Sequence, residues 1–160
     1  MNTMHKPRPA LSIYHANGRG TGSAMTVALE PATPAHDGRL IFGLAPQSAG
    51  NAPTFDWARE IVFSLYFADV CEFLRLFRGE TESIADGRGL FHRTTDANIR
   101  IQFRHAIEPA NCYVLDVYKH FTDGEERRVS IALTQSEAVG LSLAIEHSMS
   151  LLAFGVHDLY

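Results

Sequence analysis

The feature that most restricts this chain is a change of period inside one stretch, Phe55 to Phe77, which reads FDWAREIVFSLYFADVCEFLRLF. Ile61, Phe63, Leu65 and Phe67 alternate with Val62, Ser64 and Tyr66, the period of two that gives a strand one buried face. Val70, Phe73, Leu74 and Phe77 then recur at helical spacing, and Asp69 with Glu72 three residues on has the pattern of a helix N-cap and its reciprocal partner. A strand running directly into a helix is expected. The same grammar returns sixty-six residues later, where Val129, Ile131 and Leu133 alternate and Thr134-Gln135-Ser136-Glu137 is a capping box ahead of a second helix. Aligning Ser64 with Ser130 matches Phe63 with Val129, Leu65 with Ile131, Phe67 with Leu133, Phe73 with Val139 and Phe77 with Leu143. The chain reads as a repeated supersecondary unit.

The remaining segments complete each unit with strands. Leu11–Ala16, Ser23–Leu29 and Arg39–Leu44 alternate ahead of the opening stretch, separated by a glycine-rich turn at residues 17–22 and a Pro and Asp-Gly loop. That turn, containing GRGTG, lacks the following helix N-terminus that a phosphate cradle requires, so it reads as a hairpin. Arg78-Gly79 closes the first helix with a cation and a glycine. Leu90–Thr94, Asn98–Ile107, Cys112–Phe121 and Glu126–Leu133 follow as strands, with Asp123-Gly124 as a hairpin signal. The expectation is an α+β fold of two four-stranded antiparallel sheets and two helices, ββββα repeated over about residues 10–79 and 88–155, in a single domain of 160 residues.

Composition excludes several classes. Cys71 and Cys112 are the only cysteines, each inside a predicted element, which suits a reducing compartment rather than a disulfide framework. No apolar run approaches the ~20 residues of a membrane span, and Met1 to Pro9 lacks the apolar core of a secretory signal, so a soluble, cytoplasmic protein is expected. The eight histidines and two cysteines show no C-x-x-C, H-x-H or H-x-x-x-H spacing. With no nucleophile elbow or P-loop either, no enzyme activity, metal or cofactor is expected, although a site assembled only in three dimensions would leave no such signature.

Net charge is −4, but it is segregated. Lys6, Arg8 and Arg19 face no acid within residues 1–29, and Arg88, Arg93, Arg100 and Arg104 face only Asp96 within residues 87–105. Twelve of the fourteen basic residues are arginine, which forks onto phosphate and stacks on bases. In the strand from Asn98 to His105, Ile99, Ile101 and Phe103 point to a core, leaving Arg100, Gln102 and Arg104 about 7 Å apart on the open face. A polar, solvated sheet face has the same pattern. In the neighbouring strand, Asp116 and Tyr118 share one face while Tyr113, Val117 and Lys119 share the other. Tyr14, Arg19, Phe91, His92, Arg93, Tyr118 and Lys119 join Arg100, Gln102 and Arg104 as candidates for binding a nucleic acid. Trp57 is read as packing where the loop joins the core strand. The last helix, about Gln135–Phe154, is apolar nearly all round and must be covered on several sides. Gly140, Ala144 and Ser148, with Leu151 beside them, form a small-residue stripe that admits the first helix or another protomer, so a homo-oligomer built on helices is expected.

LAPQS at Leu44–Ser48, Phe55-Asp56-Trp57, IVFSL running into a helix, and VSIALTQSEAVGLSLAIEHSMSLLAFG near the C-terminus together resemble the Whirly family of single-stranded DNA-binding proteins, over about residues 10–155. The resemblance implies two roughly orthogonal four-stranded sheets, protomers meeting through helices as a homotetramer, and sequence-tolerant binding of single-stranded DNA along the sheets. That would serve replication, recombination or repair. Related architectures include a transcriptional coactivator and guide-RNA-binding proteins, so RNA binding or a transcription role remains a second reading, and a protein-interaction oligomer a third. The family's second strand begins KGKAAL. Here Gly18 to Val27 keeps the strand pattern but not the lysines, leaving Arg19 in their place, and the N-terminal residues do not read as the Arg- and Ser-rich transit peptide of a plant organelle protein. A bacterial or phage relative, cytoplasmic and nucleoid-associated or phage-encoded, is expected.

Overall fold

A computed structural model describes residues 9–50 and 52–156. Its first sheet is β1 (Ala10–His15), β2 (Ser23–Glu30), β3 (Arg39–Pro46) and β4 (Ile61–Tyr66), all antiparallel and in sequence order. Helix α1 (Phe67–Phe77) follows without a break. The second sheet, β5 (Leu90–Arg93), β6 (Ala97–Ala106), β7 (Cys112–Phe121) and β8 (Glu126–Leu133), repeats that order and ends in α2 (Gln135–Phe154). Sequential hairpins need only short turns, so each sheet is a meander with two edges: β1 and β4, and β5 and β8.

Alternation fixes which face is buried. Ile61, Phe63 and Leu65 point inward from β4, as do Ile99, Ile101 and Phe103 from β6 and Val129, Ile131 and Leu133 from β8. Phe73 of α1 joins the two halves of this core. Its ring lies 5.8 Å from Phe42 of the first sheet and 4.8 Å from Phe103 of the second. Phe63 stacks on Phe42 at 5.2 Å, and Phe77 extends the chain of rings to Phe103 and Tyr113. Aromatic rings in such tilted and offset contacts add to their area burial, so one helix side chain ties both sheets together.

The start of α1 differs from its expected position. Helical geometry begins at Phe67, Tyr66 takes the cap position, and Asp69 is the third helical residue, accepting a hydrogen bond from the Tyr66 backbone N–H at 3.1 Å. The Asp69 carboxylate thus reaches back to the cap residue's own N–H, the reciprocal half of a capping box. Glu72, expected as the capping partner, instead pairs with Arg75 at 3.1 Å and accepts the Ala85 N–H at 2.9 Å. Phe67 consequently leaves the strand's inward face and is exposed.

The caps also reset the register of the repeat. Thr134 caps α2, donating its N–H to Glu137 Oε1 at 2.9 Å, so Tyr66 corresponds to Thr134 and Asp69 to Glu137. The halves are therefore two residues further apart than the Ser64–Ser130 alignment. A shift of two leaves a strand's alternation unchanged but turns a helix by more than half a turn. Hence Phe73 matches buried Leu141, whereas Val139, its expected counterpart, and Leu143, that of Phe77, are exposed. The correspondence extends to a crossed pair of contacts: His15 of the first half meets Glu137 of the second at 2.8 Å, and His92 of the second meets Asp69 of the first at 3.4 Å.

Helix α2 buries Ala138, Leu141, Ile145 and Leu152, and its end docks on the β2–β3 loop, where the Ala32 N–H donates to the Leu151 carbonyl at 3.0 Å. Gly38 permits this approach, since a Cβ there would sit 2.5 Å from the Leu152 backbone. Gly140 and Ala144 stay exposed, while Ala144 and Ser148 line a cleft of about 160 Å³ against β1 and β2. Leu151 is half-buried.

Candidate nucleic-acid interface

The outward residues of the second sheet are placed by its hairpin registers. Phe91 of β5 lies opposite Arg100 of β6, Arg100 opposite Tyr118 of β7, and Tyr118 opposite Arg128 of β8. One row perpendicular to the strands therefore alternates ring, guanidinium, ring, guanidinium, spanning three strand spacings, or about 14 Å. Within the row the Arg100 guanidinium carbon stands 5.7 Å from the centre of the Phe91 ring, and that of Arg128 5.0 Å from Tyr118. Phe91 is 70% exposed, an unusual state for phenylalanine in a row that solvent alone would fill.

Charge on this face is uneven. Asp116 accepts hydrogen bonds from Ser130 Oγ and, at 3.1 Å, from Arg128. The hydrogen bond to Asp116 pushes the Arg128 guanidinium further up from its ordinary value, and the same bond ties the group in place above Tyr118. Arg93, Arg100 and Arg104 carry no carboxylate partner among the described residues, whereas Arg39, Arg75, Arg78 and Arg127 each have one. Unpaired guanidiniums beside exposed rings give both parts of a single-strand site: cations for the backbone and flat surfaces for bases.

Not every candidate from the sequence converges here. Gln102 shares the open face, but its Nε2 donates to the Gly87 and Arg88 carbonyls at 3.4 and 3.2 Å. Gly89, at φ +75°, brings that turn against β6 so closely that a Cβ would sit 2.5 Å from the Ile101 carbonyl. The anticipated track along β6 is thus interrupted between Arg100 and Arg104. Lys119 points to the opposite face, its Nζ 4.8 Å from the Phe121 ring that Arg127 also covers. His92 turns toward Asp69, while Arg93 lies one row away from Arg100 with Asn98, His120 and Glu126.

Tyr14 and Arg19 belong to the first sheet. Tyr14 is exposed with its ring 5.6 Å from Phe55, and Arg19 sits in a turn organised by the Asn17 side chain. Lys6 and Arg8 lie outside the described residues. Trp57 opens a short 3₁₀ turn leading into β4 and is 38% exposed, so the loop junction covers it only in part. Arg128 completes the row although nothing in its own segment marks it. A two-residue Asp123-Gly124 loop would set Val129 opposite Tyr118; the loop instead spans Thr122 to Gly124, with the Phe121 N–H on the Glu125 carbonyl, and this brings Arg128 there. Among the described residues no group of three or more His, Cys, Asp and Glu side chains is placed to hold a metal ion.

These features define a class: a twofold-repeated α+β protein with two antiparallel meanders, a helical centre, and one open sheet face bearing arginine and aromatic side chains. Solved structures with this architecture include WHY1 from Arabidopsis thaliana (TM-score 0.74, 21% identity, covering 92% of this chain and 86% of that one) and WHY3 from the same plant (0.74, 20%, 94% and 92%). The plant transcriptional regulator PBF-2 aligns at TM-score 0.72 and 20% identity over 92% of this chain and 84% of its own. The fold is therefore Whirly-like. No protein-family model matches the sequence, and no curated protein sequence matches it.

Proposed function

We propose that this protein binds single-stranded DNA with little sequence preference across the open face of its second sheet, as a homo-oligomer and without catalysis. The observation that carries the reading is the row Phe91, Arg100, Tyr118 and Arg128, because alternate rings and guanidiniums offer stacking and phosphate contact to any base sequence. Coating DNA exposed in replication, recombination or repair is the use such a surface serves, in the cytoplasm of a bacterium or in a phage-encoded system. Val139, Leu143 and Phe154 expose an apolar face of α2, which supports assembly through helices, with a tetramer as the expected state.

Titration of fluorescently labelled single-stranded DNA, duplex DNA and RNA at several salt concentrations tests this reading. Tightest binding to single-stranded DNA, falling steeply with salt, is expected. Equal or absent binding to all three at low salt overturns it. The likeness to a plant transcriptional regulator favours a second reading, a transcription factor or RNA-binding role on the same face, to which preference for RNA or duplex would point. A protein-interaction oligomer would show no nucleic-acid binding at any salt.

A further inference from the structure

A cleft of about 410 Å³ runs between edge strand β4 of the first sheet and edge strand β5 of the second, a volume within the ~300–1,000 Å³ range of ligand clefts. Val62 and Tyr66 line it from β4 with Ser64 between them, and Phe63 and Ile99 form its apolar floor. Val62 and Tyr66 are 45% and 44% exposed, so two large side chains face solvent on one wall of a built concavity. Arg93, which has no carboxylate partner among the described residues, stands on the opposite rim. Arg93 and Ile99 also line a second cleft, of about 370 Å³, which holds Phe91 and Arg100 of the cross-strand row. The two clefts thus adjoin, sharing His92, Arg93 and Ile99.

We propose that the β4–β5 cleft is a nucleobase slot, the end of the path on which a single strand crosses the second sheet. The inference rests on the nucleic-acid reading above and adds a residue set and a direction to it. Phe91 belongs to β5 itself, the strand whose free edge borders the cleft, so a base stacked on its ring already stands at that edge. The next nucleotide therefore reaches the cleft without a bend in the sheet. Its phosphate meets Arg93, and its base enters edge-on along the Val62–Tyr66 wall toward the Phe63–Ile99 floor. Ser64 Oγ, which accepts a weak hydrogen bond from Arg39 at 3.4 Å, keeps its own hydrogen for a polar atom on the base edge. Charge selects this occupant over an apolar peptide, because the rim arginine is continuous with the unpaired Arg100 of the row.

The test is an abasic scan of the shortest oligonucleotide that binds at full affinity, read by fluorescence anisotropy with wild-type protein, Tyr66→Ala and Val62→Gln. The α1 cap uses only the Tyr66 backbone N–H, so Tyr66→Ala preserves it. In the wild type, one terminal abasic position beyond the Phe91 contact is expected to weaken binding about ten-fold, as the loss of one stacked base does. In Tyr66→Ala and in Val62→Gln, the intact oligonucleotide binds about ten-fold more weakly and that abasic position has no further effect, the signature of two changes removing one contact. Should Arg100→Ala weaken binding while the scan stays identical in wild type and both cleft variants, the slot is overturned and the open face retained. Wild-type protein that binds no oligonucleotide overturns both. A cleft variant that lowers the oligomer's mass while each protomer binds normally assigns the cleft to a protomer contact instead, and also overturns the slot.

Discussion

Glu137 shows how one carboxylate serves both an element and the joint between halves. Burial alone would push its pKa up, but the Thr134 N–H, the His15 ring and the Thr134 hydroxyl outweigh this and hold it below the ordinary glutamate range. A carboxyl with a depressed folded-state pKa stabilises the fold fully above its unfolded-state value and loses that contribution as pH falls through its folded-state value. Glu137→Gln should therefore cost about 1 kcal/mol near neutral pH, the scale of a lost helix cap. Urea unfolding across a pH series should show the wild-type and variant curves converging in the acid range below the ordinary glutamate pKa; a constant difference would contradict the assignment. The capping box was legible as T-x-x-E. The His15 contact was not, because no local pattern links residues so far apart in the chain.

At the scale of the element, the second sheet turns three ordinary alternating strands into one row. Phe91→Ala should weaken single-strand binding by ~1–3 kcal/mol, the worth of one stacked base. Arg100→Ala should weaken it similarly for all sequences and lower the slope of log affinity against log salt by about 0.7, one phosphate contact on a single strand. Lys119→Ala, on the other face, should leave both quantities unchanged, and a loss equal to that of Arg100→Ala would show that the strand runs elsewhere. Alternation alone revealed that Arg100 and Arg104 point outward and that Tyr118 and Lys119 lie on opposite faces of their strand, but not which of those two shares the arginines' face. It could not reveal that Gln102 is committed to the Gly87–Arg88 turn, since that contact depends on a backbone approach permitted by Gly89.

For the whole molecule, Phe73 is the side chain that both sheets share, completely buried between Phe42 and Phe103. Phe73→Ala should cost ~3–5 kcal/mol in equilibrium unfolding, the cost of deleting a buried ring whose surroundings cannot collapse. The outer side of α2 predicts a different loss. Leu143→Glu should leave the protomer folded, because Leu143 is half-exposed, but should lower the mass of the proposed oligomer in light scattering. An unchanged mass would place the protomer contact away from this face.

Local periodicity determined the larger part of this architecture: eight strands, two helices, their order and the inward side of strands such as β4, β6 and β8, because a half-buried element must repeat its apolar residues at its own geometric period. It also supplied the arginines. Tertiary structure alone decided where Tyr66 ends a strand and begins a helix, which register relates the halves, and which outward residues stand side by side. A shift of two residues leaves a strand's pattern intact, so only the helix cap and the packing behind it distinguish one register from the next. The same ambiguity hid Arg128: its partners Tyr118 and Asp116 lie on another strand, and neighbours across a sheet are set by pairing rather than by sequence spacing. Phe55 to Phe77 thus announces the fold, while the row from Phe91 to Arg128 exists only once four strands have paired.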